Sequence, residues 1–282
     1  MYKWKLVADS SCCLTKEANG NEFFTPFETV PLTIKVDTTE YVDEYGLDVE
    51  KMIDHMKEYG KPCSTSCPSV QKYAESFEDA ENILCITISS NLSGSYNSAV
   101  QAKNMVLEEH PEKNIYILDA KSTAGDMILM LRHADKLISE GKSFHEVCSI
   151  MEEHVNQTRI IFSLSCFDNL INAGRMGKIT GMIASALKIR PIATNSPEGT
   201  IEVMEKPRGE KKAIERMIEL MKDYKDMKDR SVIIVHCRND EGAGNLKAAI
   251  LEAYPDVKSV EIIKGTGLVA YYSDVGSLLL SF

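Results

Sequence analysis

The stretch that decides the fold is NILCITISSNLSGSYNSA, residues 82–99. Its first part, NILCITI, is a near-continuous run of aliphatic and β-branched residues, which is typical of a strand covered on both faces. A polar turn, SSNLSGS, follows at 89–95 and leads into an amphipathic stretch that predicts a helix over 95–109. The segment therefore predicts one strand–loop–helix unit of an α/β fold.

The same pattern recurs through the first half of the chain. KLVADSS at 5–11, VPLTIKV at 30–36 and NIYILDA at 114–120 predict further strands. Amphipathic stretches at 47–58 and 123–140 predict helices between and after them. Strands that alternate with helices indicate right-handed crossovers and a mainly parallel sheet.

The second half has a different connectivity. A helix over 144–155 precedes the strand-like TRIIFSL at 158–164, and a helix pair broken by NAGRMGK at 172–178 comes next. RPIAT and TIEVMEK, joined by a turn at SPEG, predict neighbouring antiparallel strands. A helix over 210–226, the strand VIIVHC, a further helix and the strand SVEIIKG complete the pattern. We therefore expect two α/β domains, 1–157 with a mainly parallel sheet and 158–282 with a mixed sheet.

Composition narrows the classes of function. Of the 282 residues 44% are apolar and 26% charged, which is the balance of an ordinary globular protein. The formal net charge is −10 and no dense Lys/Arg cluster offsets it, so a nucleic-acid partner is not expected. No apolar run approaches the roughly 20 residues of a transmembrane helix, and the N-terminus lacks a signal-peptide pattern. A cytoplasmic location without a membrane span is the expectation.

The cysteines and histidines do not form a metal-binding pattern. Cys85 and Cys237 lie in apolar runs and are expected to be buried core residues. Cys63 and Cys67, with His55 upstream, lack further ligands at the spacing that zinc sites use. We expect no metal site.

Hydroxyl-rich segments lie where an α/β sheet binds ligands, at strand ends and helix starts. They are ADSSC at 8–12, STSCPS at 64–69 and SSNLSGS at 89–95. Each hydroxyl taken singly is most simply a helix cap, because Ser and Thr caps are common. Several together indicate a donor-rich cup for one carboxylate or phosphate. Thr65 and Ser93 are its leading candidates.

Motifs for nucleotides and for hydrolysis are absent from the sequence. It contains no G-x-G-x-x-G, no P-loop, no G-x-S-x-G and no H-E-x-x-H pattern. The scattered histidines do not supply a nucleophile–base pair. The cup is therefore interpreted as a binding site without catalysis of its own, and no cofactor is expected.

A loop in the second half, NAGRMGK at 172–178, carries Arg175 between glycines that allow unusual backbone shapes. We expect this arginine in the open. Such a side chain is either simply solvated or makes an anion or partner contact through its rigid donor fork.

An ordered set of motifs resembles the DegV family over nearly the whole chain. The set comprises DSSCCL, VPLTI followed by Tyr41 and Asp43, TSCPS, ISSNLSGSYNSA, ILDAKSTAG, NAGRMGKI, and LKIRPI with a trailing Lys-x-Arg. The resemblance implies a fatty-acid-binding protein with an acyl-chain pocket between or adjoining the two domains. It implies that Thr65 and Ser93 hold the carboxylate, with Ser66 in support. It also implies presentation of that carboxylate to a separate ATP-binding fatty acid kinase subunit, with Arg175 as a partner contact.

Apolar residues of the second half are candidates for the acyl-chain pocket, although ordinary core packing is an equally good interpretation of each. They are Ile161, Phe162, Leu164, Phe167, Ile183, Leu187 and Ile189. The family commonly closes on H-T-G-P-G-A-L, whose His lies near the carboxylate. Here Tyr272 takes that position, and a Tyr hydroxyl can donate to a carboxylate but does not carry protons near neutral pH.

The sequence leaves other functions open. The leading hypothesis is a carrier of one long-chain, palmitate-like fatty acid. An enzyme acting on another small anionic metabolite in the same cup is the first alternative, because fold does not fix function. A sensor that binds a lipid and then another protein is the second.

Overall fold

The computed structural model describes residues 1–176, 189–224 and 226–282. Its strands are β1 Tyr2–Asp9, β2 Phe27–Val30, β3 Thr33–Val36, β4 Thr39–Val42, β5 Ser64–Ser66, β6 Ala80–Thr87, β7 Asn114–Asp119, β8 Ile160–Ser163, β9 Ile192–Asn195, β10 Ile201–Glu205, β11 Ser231–Cys237, β12 Ser259–Lys264 and β13 Ser277–Ser281. Its α-helices are α1 Lys16–Asn19, α2 Val49–Tyr59, α3 Val70–Ser76, α4 Ser95–Glu109, α5 Gly125–Ser139, α6 Phe144–His154, α7 Asp168–Asn172, α8 Glu210–Met221, α9 Asp240–Ala253 and α10 Gly267–Ser273.

The predicted α/β class is confirmed. The first sheet has the order β2-β1-β6-β7, and each neighbouring pair is parallel. The second sheet has the order β10-β9-β8-β13-β11-β12 and is mixed, with β11 and β12 parallel and the other pairs antiparallel. The apolar run of 82–88 forms the central strand β6, and that of 114–118 forms the edge strand β7. Both runs are almost continuously apolar because helices or the second sheet cover both faces of the first sheet.

One predicted strand was wrong in its extent. In the run VPLTIKV at 30–36, Val30 is the last residue of β2. Thr33–Val36 form β3, which belongs to a separate small sheet of order β4-β3-β5. This sheet is antiparallel, and it pairs Ile34 of β3 with Thr65 of β5. Pro31 separates the two strands, since proline has no N–H to donate to a continuing ladder.

Helix α5 lies between the two large sheets. It contacts β1 and β6 on one side and β11 and β13 on the other. Its apolar residues, including Met127 and Leu131, share one core with Leu84 of the first sheet and Leu279 of the second. The outer faces of the sheets are covered by α3 and α4 on one side and α8 and α9 on the other.

Helix α10 returns from the C-terminal part of the chain to the small sheet. It packs on α2 and β3, and its Tyr271 is buried with Ile34 and Met52. The strand β13 follows at once and enters the second sheet between β8 and β11. The placement of α10 therefore brings Tyr272 beside β5.

Candidate ligand-binding site

A cavity of about 300 Å³ lies between the loops at the carboxyl ends of the first sheet and the inner face of the second. This volume is at the lower end of the range for small-molecule sites. Its walls are mostly apolar, and its polar residues group at two places. The lining comprises Leu32, Thr65, Ser66, Cys67, Ile88, Leu92, Ser93, Gly94, Lys121, Ser122, Thr123, Ile160, Phe162, Leu164, Leu170, Arg175, Asn195, Gly199, Thr200, Ile201, Leu268, Val269, Tyr272, Ser273 and Leu279.

The four predicted carboxylate residues all line the cavity, and we call the part of the wall that they form the mouth (Thr65, Ser66, Ser93 and Tyr272). Oγ1 of Thr65 lies 2.8 Å from the hydroxyl of Tyr272, although 207 residues separate them in sequence. Only one of these two hydroxyls donates to the other, so the second proton stays available to a ligand oxygen. The mouth thus offers several hydroxyl donors to one anion.

A buried aspartate fixes the loop that carries Ser93. Asp9, at the end of β1, accepts hydrogen bonds from the backbone N–H of Ile88 at 2.9 Å and from Oγ of Ser95 at 2.6 Å. Burial raises the pKa of Asp9, and these hydrogen bonds lower it in part. The N–H of Ser95 in turn donates to Oγ of Ser93 at 3.2 Å. Ser93 therefore keeps its own O–H proton for a ligand.

Arg175 is not in the open, so that expectation was wrong. Its Nε donates to the backbone carbonyl of Leu92 at 2.9 Å, and its guanidinium also donates to the carbonyl of Ala173. The side chain is half-buried and lines the cavity. Arg175 thereby ties the loop after α7 to the loop that carries Ser93.

The apolar candidates separate according to the face of the second sheet on which they lie. Phe162 and Leu164 line the cavity. Ile161 does not: it packs on the opposite face with Met217 and Ile192, because neighbouring residues of a strand point to opposite faces. The interpretation of Ile161 as a pocket residue is corrected on this ground.

The four remaining candidates do not line the cavity or lie outside the described residues. Phe167 is buried in the central core without lining the cavity, and Ile189 is half-buried in a bridge with Arg208. Neither residue lines this cavity, and their role as acyl-chain residues stays a prediction. Ile183 and Leu187 lie outside the described residues.

The turn between β9 and β10 forms a wall that the sequence did not reveal. Oγ of Ser89 donates to the carbonyl of Gly199 at 2.7 Å, and Asn91 donates to the carbonyl of Glu198 at 2.6 Å. Gly199 has φ of +80°, and a Cβ on it would lie 2.9 Å from Cα of Lys121. Only glycine fits there. SPEG predicted the turn, but no local signal indicated what the turn contacts.

A buried carboxyl lies next to the cavity, beside its lining residue Ser122. Asp126, in the first turn of α5, accepts a hydrogen bond from the cavity-lining Ser122 at 2.6 Å. Burial raises the pKa of Asp126 to about 7. Burial thus favours the uncharged form of this carboxyl, and the hydrogen bond from Ser122 partly offsets that effect.

Cys63, Cys67 and His55 do not converge. His55 shares a 2.8 Å hydrogen bond with the hydroxyl of Tyr41, and Cys67 lies 3.8 Å from Oγ of Ser98. Across residues 1–176, 189–224 and 226–282, no group of three or more His, Cys, Asp or Glu side chains is arranged to hold a metal ion. In the same ranges, no helix combines the length and the apolar character of a membrane span.

A family model matches residues 3–278, and its description is an uncharacterised protein of the DegV family. A DegV domain-containing protein of Streptococcus pyogenes is 35% identical over 279 residues, which cover 99% of both chains. A DegV domain-containing protein of Streptococcus pneumoniae is 34% identical over 280 residues, which cover 99% of this chain and 98% of the relative.

Solved structures of similar proteins contain fatty acids. A DegV family protein from Eubacterium eligens, loaded with heptadecanoic acid, matches with a TM-score of 0.92 at 33% identity, over 99% of this chain and 98% of the other. The Fatty Acid Kinase (Fak) B3 protein of Streptococcus pneumoniae, loaded with linoleic acid, matches with a TM-score of 0.91 at 33% identity, over 99% of both chains. A DegV family protein from Ruminococcus gnavus with vaccenic acid gives 0.91 at 33% identity, again over 99% of both.

Proposed function

This chain belongs to the DegV family, and from that premise we propose that it binds one long-chain fatty acid in its internal cavity. The carboxylate binds at the mouth, where Thr65 and Ser93 donate hydrogen bonds and Ser66 and Tyr272 assist. The acyl chain extends along Phe162 and Leu164. The protein acts as a carrier and has no catalytic residues of its own.

The observation that carries the proposal is the division of one cavity into a hydroxyl-rich mouth and an apolar interior. Thr65 and Tyr272 lie 2.8 Å apart at the mouth, and apolar side chains line most of the remaining wall. A single carboxylate followed by a long hydrocarbon chain has the same division. A sugar phosphate would leave the apolar wall without a matching surface.

The apolar interior and the mouth contribute differently to the free energy of binding. At about 0.8 kcal/mol per buried CH₂, a C16 chain offers about 10 kcal/mol before the costs of binding. Each charge-assisted hydrogen bond to the carboxylate contributes about 1.5–3 kcal/mol. The interior thus supplies most of the affinity, and the mouth sets the direction in which the ligand enters.

Mass spectrometry of the purified, denatured protein tests the proposal. We expect a co-purified fatty acid in the C14–C20 range, in about equal amount to the protein. After delipidation, palmitate should raise the melting temperature and glucose 6-phosphate should not. The opposite pattern, with no fatty acid and stabilisation by the sugar phosphate, would reject a carrier and favour an enzyme of anionic metabolites.

We also propose that the bound carboxylate is presented to a separate ATP-binding kinase subunit and leaves as an acyl phosphate. The 33% identity to the Fak B3 protein supports this step. Hydroxyl donors suit it, because they hold a carboxylate without the full ion pair that an arginine or lysine would form. Arg175, half-buried at the cavity, is the proposed contact with the kinase.

Reconstitution with the ATP-binding subunit of a bacterial fatty acid kinase tests the second step. We expect transfer of radiolabel from γ-labelled ATP to bound palmitate only when both proteins are present. Arg175→Lys, which keeps the charge but not the donor fork, should lower the rate of transfer more than it lowers palmitate affinity. If the rate of transfer and the palmitate affinity fall by the same factor, Arg175 acts in the ligand site and not in a contact with the kinase.

A further inference from the structure

Asp43 is a buried carboxylate that joins the small sheet to α10. It follows β4 directly and is 2% exposed. Its Oδ1 accepts the backbone N–H of Gly267 at 2.6 Å, and its Oδ2 accepts that of Leu268 at 3.0 Å. Both N–H groups belong to the first turn of α10 and have no partner within the helix. Asp43 therefore caps a helix that begins 224 residues later in the chain.

The elements that Asp43 joins carry opposite halves of the mouth. Strand β4 pairs with β3, and β3 pairs with β5, where Thr65 lies opposite Ile34. Helix α10 carries Tyr272, whose hydroxyl meets Oγ1 of Thr65 at 2.8 Å. The distance between these hydroxyls therefore depends on how α10 sits against the small sheet.

The contact between Asp43 and α10 is close enough that a side chain at position 267 would have to displace Asp43 or Leu47. A Cβ on Gly267 would lie 2.9 Å from Oδ1 of Asp43 and 2.6 Å from a methyl group of Leu47. Oγ1 of Thr266 donates to the carbonyl of Ser10 at 3.1 Å and lies 3.4 Å from Oδ2 of Asp43. The start of α10 is thus fixed from several directions, with the carboxylate at the centre.

We propose that Asp43 is a positioning residue for the fatty-acid headgroup: by capping α10 it sets Tyr272 against Thr65. The proposal rests on the function proposed above. Asp43 does not line the cavity, and its effect on the ligand passes through α10. Burial raises the pKa of Asp43 to about 6, and the hydrogen bonds from the N–H groups of Leu268 and Gly267 lower it in part.

Three variants and a matched control test this role by titration with palmitate. Asp43→Ala removes the cap, and we expect affinity to fall up to about fivefold, the loss that removal of the Tyr272 hydroxyl itself would give. Asp43→Asn keeps an acceptor oxygen and should retain most of the affinity. Tyr272→Phe removes the hydroxyl that Asp43 positions. Ser143→Ala removes the cap of α6, a helix that gives no residue to the cavity, and should leave affinity unchanged.

The double variant Asp43→Ala/Tyr272→Phe separates positioning from general stability. If Asp43 acts through Tyr272, the double variant should bind about as weakly as the weaker single variant. Additive losses, or an Asp43→Ala protein with wild-type affinity, would overturn the proposal. So would equal losses in Asp43→Ala and Ser143→Ala.

Hydrogen exchange gives a readout that does not depend on the ligand. Asp43→Ala should lower the protection of amides 267–273, whereas Ser143→Ala should not. If the protection of these amides is unchanged in Asp43→Ala, Asp43 does not hold the start of α10 and the proposal is overturned. If the wild-type protein itself fails to bind palmitate, the proposed function fails, and exchange still decides whether Asp43 holds α10.

Discussion

The mouth and the interior of the cavity are built in different ways. The interior uses regular strands: Phe162 of β8 and Leu279 of β13 face it because the side chains of a strand alternate between its two faces. The mouth uses short elements that are distant in sequence. Thr65 comes from β5, Ser93 from a loop and Tyr272 from α10. Hydrogen bonds to the buried carboxylates of Asp9 and Asp43 hold the Ser93 loop and α10 in place.

This difference teaches where affinity and orientation come from. The interior has many interchangeable apolar side chains, each of which contributes a little area. The mouth has a few hydroxyls, and each depends on a partner such as Asp9 or Asp43. We therefore expect changes in the interior to alter how tightly any long chain binds, and changes at the mouth to alter which end of it is held.

The largest effect is expected from filling the interior. Leu170→Trp, on α7, enlarges a side chain that lines the cavity, and we expect it to displace about five methylene groups of the ligand. At about 0.8 kcal/mol each, palmitate affinity should fall on the order of 1000-fold. The measurement is displacement of a fluorescent fatty acid by palmitate.

A matched tryptophan provides the control. Leu107 packs, half-buried, on the far side of the first sheet, so Leu107→Trp should leave affinity unchanged. If both variants keep wild-type affinity and melting temperature, the interior does not hold the acyl chain.

A smaller effect is expected from the mouth. Thr65→Ala together with Ser93→Ala removes two hydroxyl donors and should weaken palmitate binding on the order of 100-fold, since the two bonds together contribute about 3 kcal/mol. Titration calorimetry measures the loss, and a melting curve checks that the fold is kept. The methyl ester of palmitate, whose uncharged carbonyl accepts weaker hydrogen bonds than a carboxylate, should lose less affinity in the double variant than palmitate does. A double variant that binds palmitate like the wild type would remove Thr65 and Ser93 from the headgroup site.

Tyr272→Phe should have a moderate effect. It deletes one hydroxyl from a pair, and Thr65 keeps its own, so we expect palmitate affinity to fall about fivefold. Tyr272→His, which places the family's histidine here, should restore affinity and make it fall as pH rises through the His pKa near 6.5. If the affinity of Tyr272→His for palmitate does not change with pH, residue 272 does not contact the carboxylate.

The smallest effect on affinity, with a clear effect on stability, is expected at Asp126. Its folded-state pKa of about 7 lies above the ordinary value of 3.8. The folded protein therefore binds this proton more tightly than the unfolded chain does. The associated stability is fully present below pH 4 and is lost as pH rises through 7.

Asp126→Asn should remove this loss, which is at most about 4 kcal/mol. Urea unfolding at pH 5 and pH 8 measures it. The variant should be more stable than the wild type at pH 8 and should bind palmitate equally well. A variant that is no more stable at pH 8 would show that the Asp126 carboxyl is ionised in the folded protein without cost.

The sequence predicted the regular part of this molecule well. Helix α4 begins and ends where the apolar pattern predicted, and β9 and β10 pair antiparallel across the SPEG turn. The hydroxyl segments containing Thr65 and Ser93 line one cavity. Strand ends and helix starts are local features, and that is why pattern alone could identify them.

The contacts between distant segments could not be read from the pattern. Neighbouring side chains of a strand point to opposite faces, so Phe162 lines the cavity and Ile161 does not. The sequence does not say which face of the sheet is the inner one. The 224-residue link from Asp43 to Gly267, and the fold of Arg175 back onto Leu92, are long-range hydrogen bonds without a local signal. For the same reason Arg175 was expected in the open.

Palmitate labelled with ¹³C at one end or the other tests the central claim most directly. One sample carries the label at the carboxyl carbon and a second at the terminal methyl, each bound to the wild-type protein and to two variants. We predict that Tyr272→Phe shifts the carboxyl resonance and leaves the methyl resonance in place, while Phe162→Leu shifts the methyl resonance and leaves the carboxyl resonance in place. A carboxyl resonance that responds to Phe162→Leu and not to Tyr272→Phe would contradict the account, because the ligand would then lie the other way round.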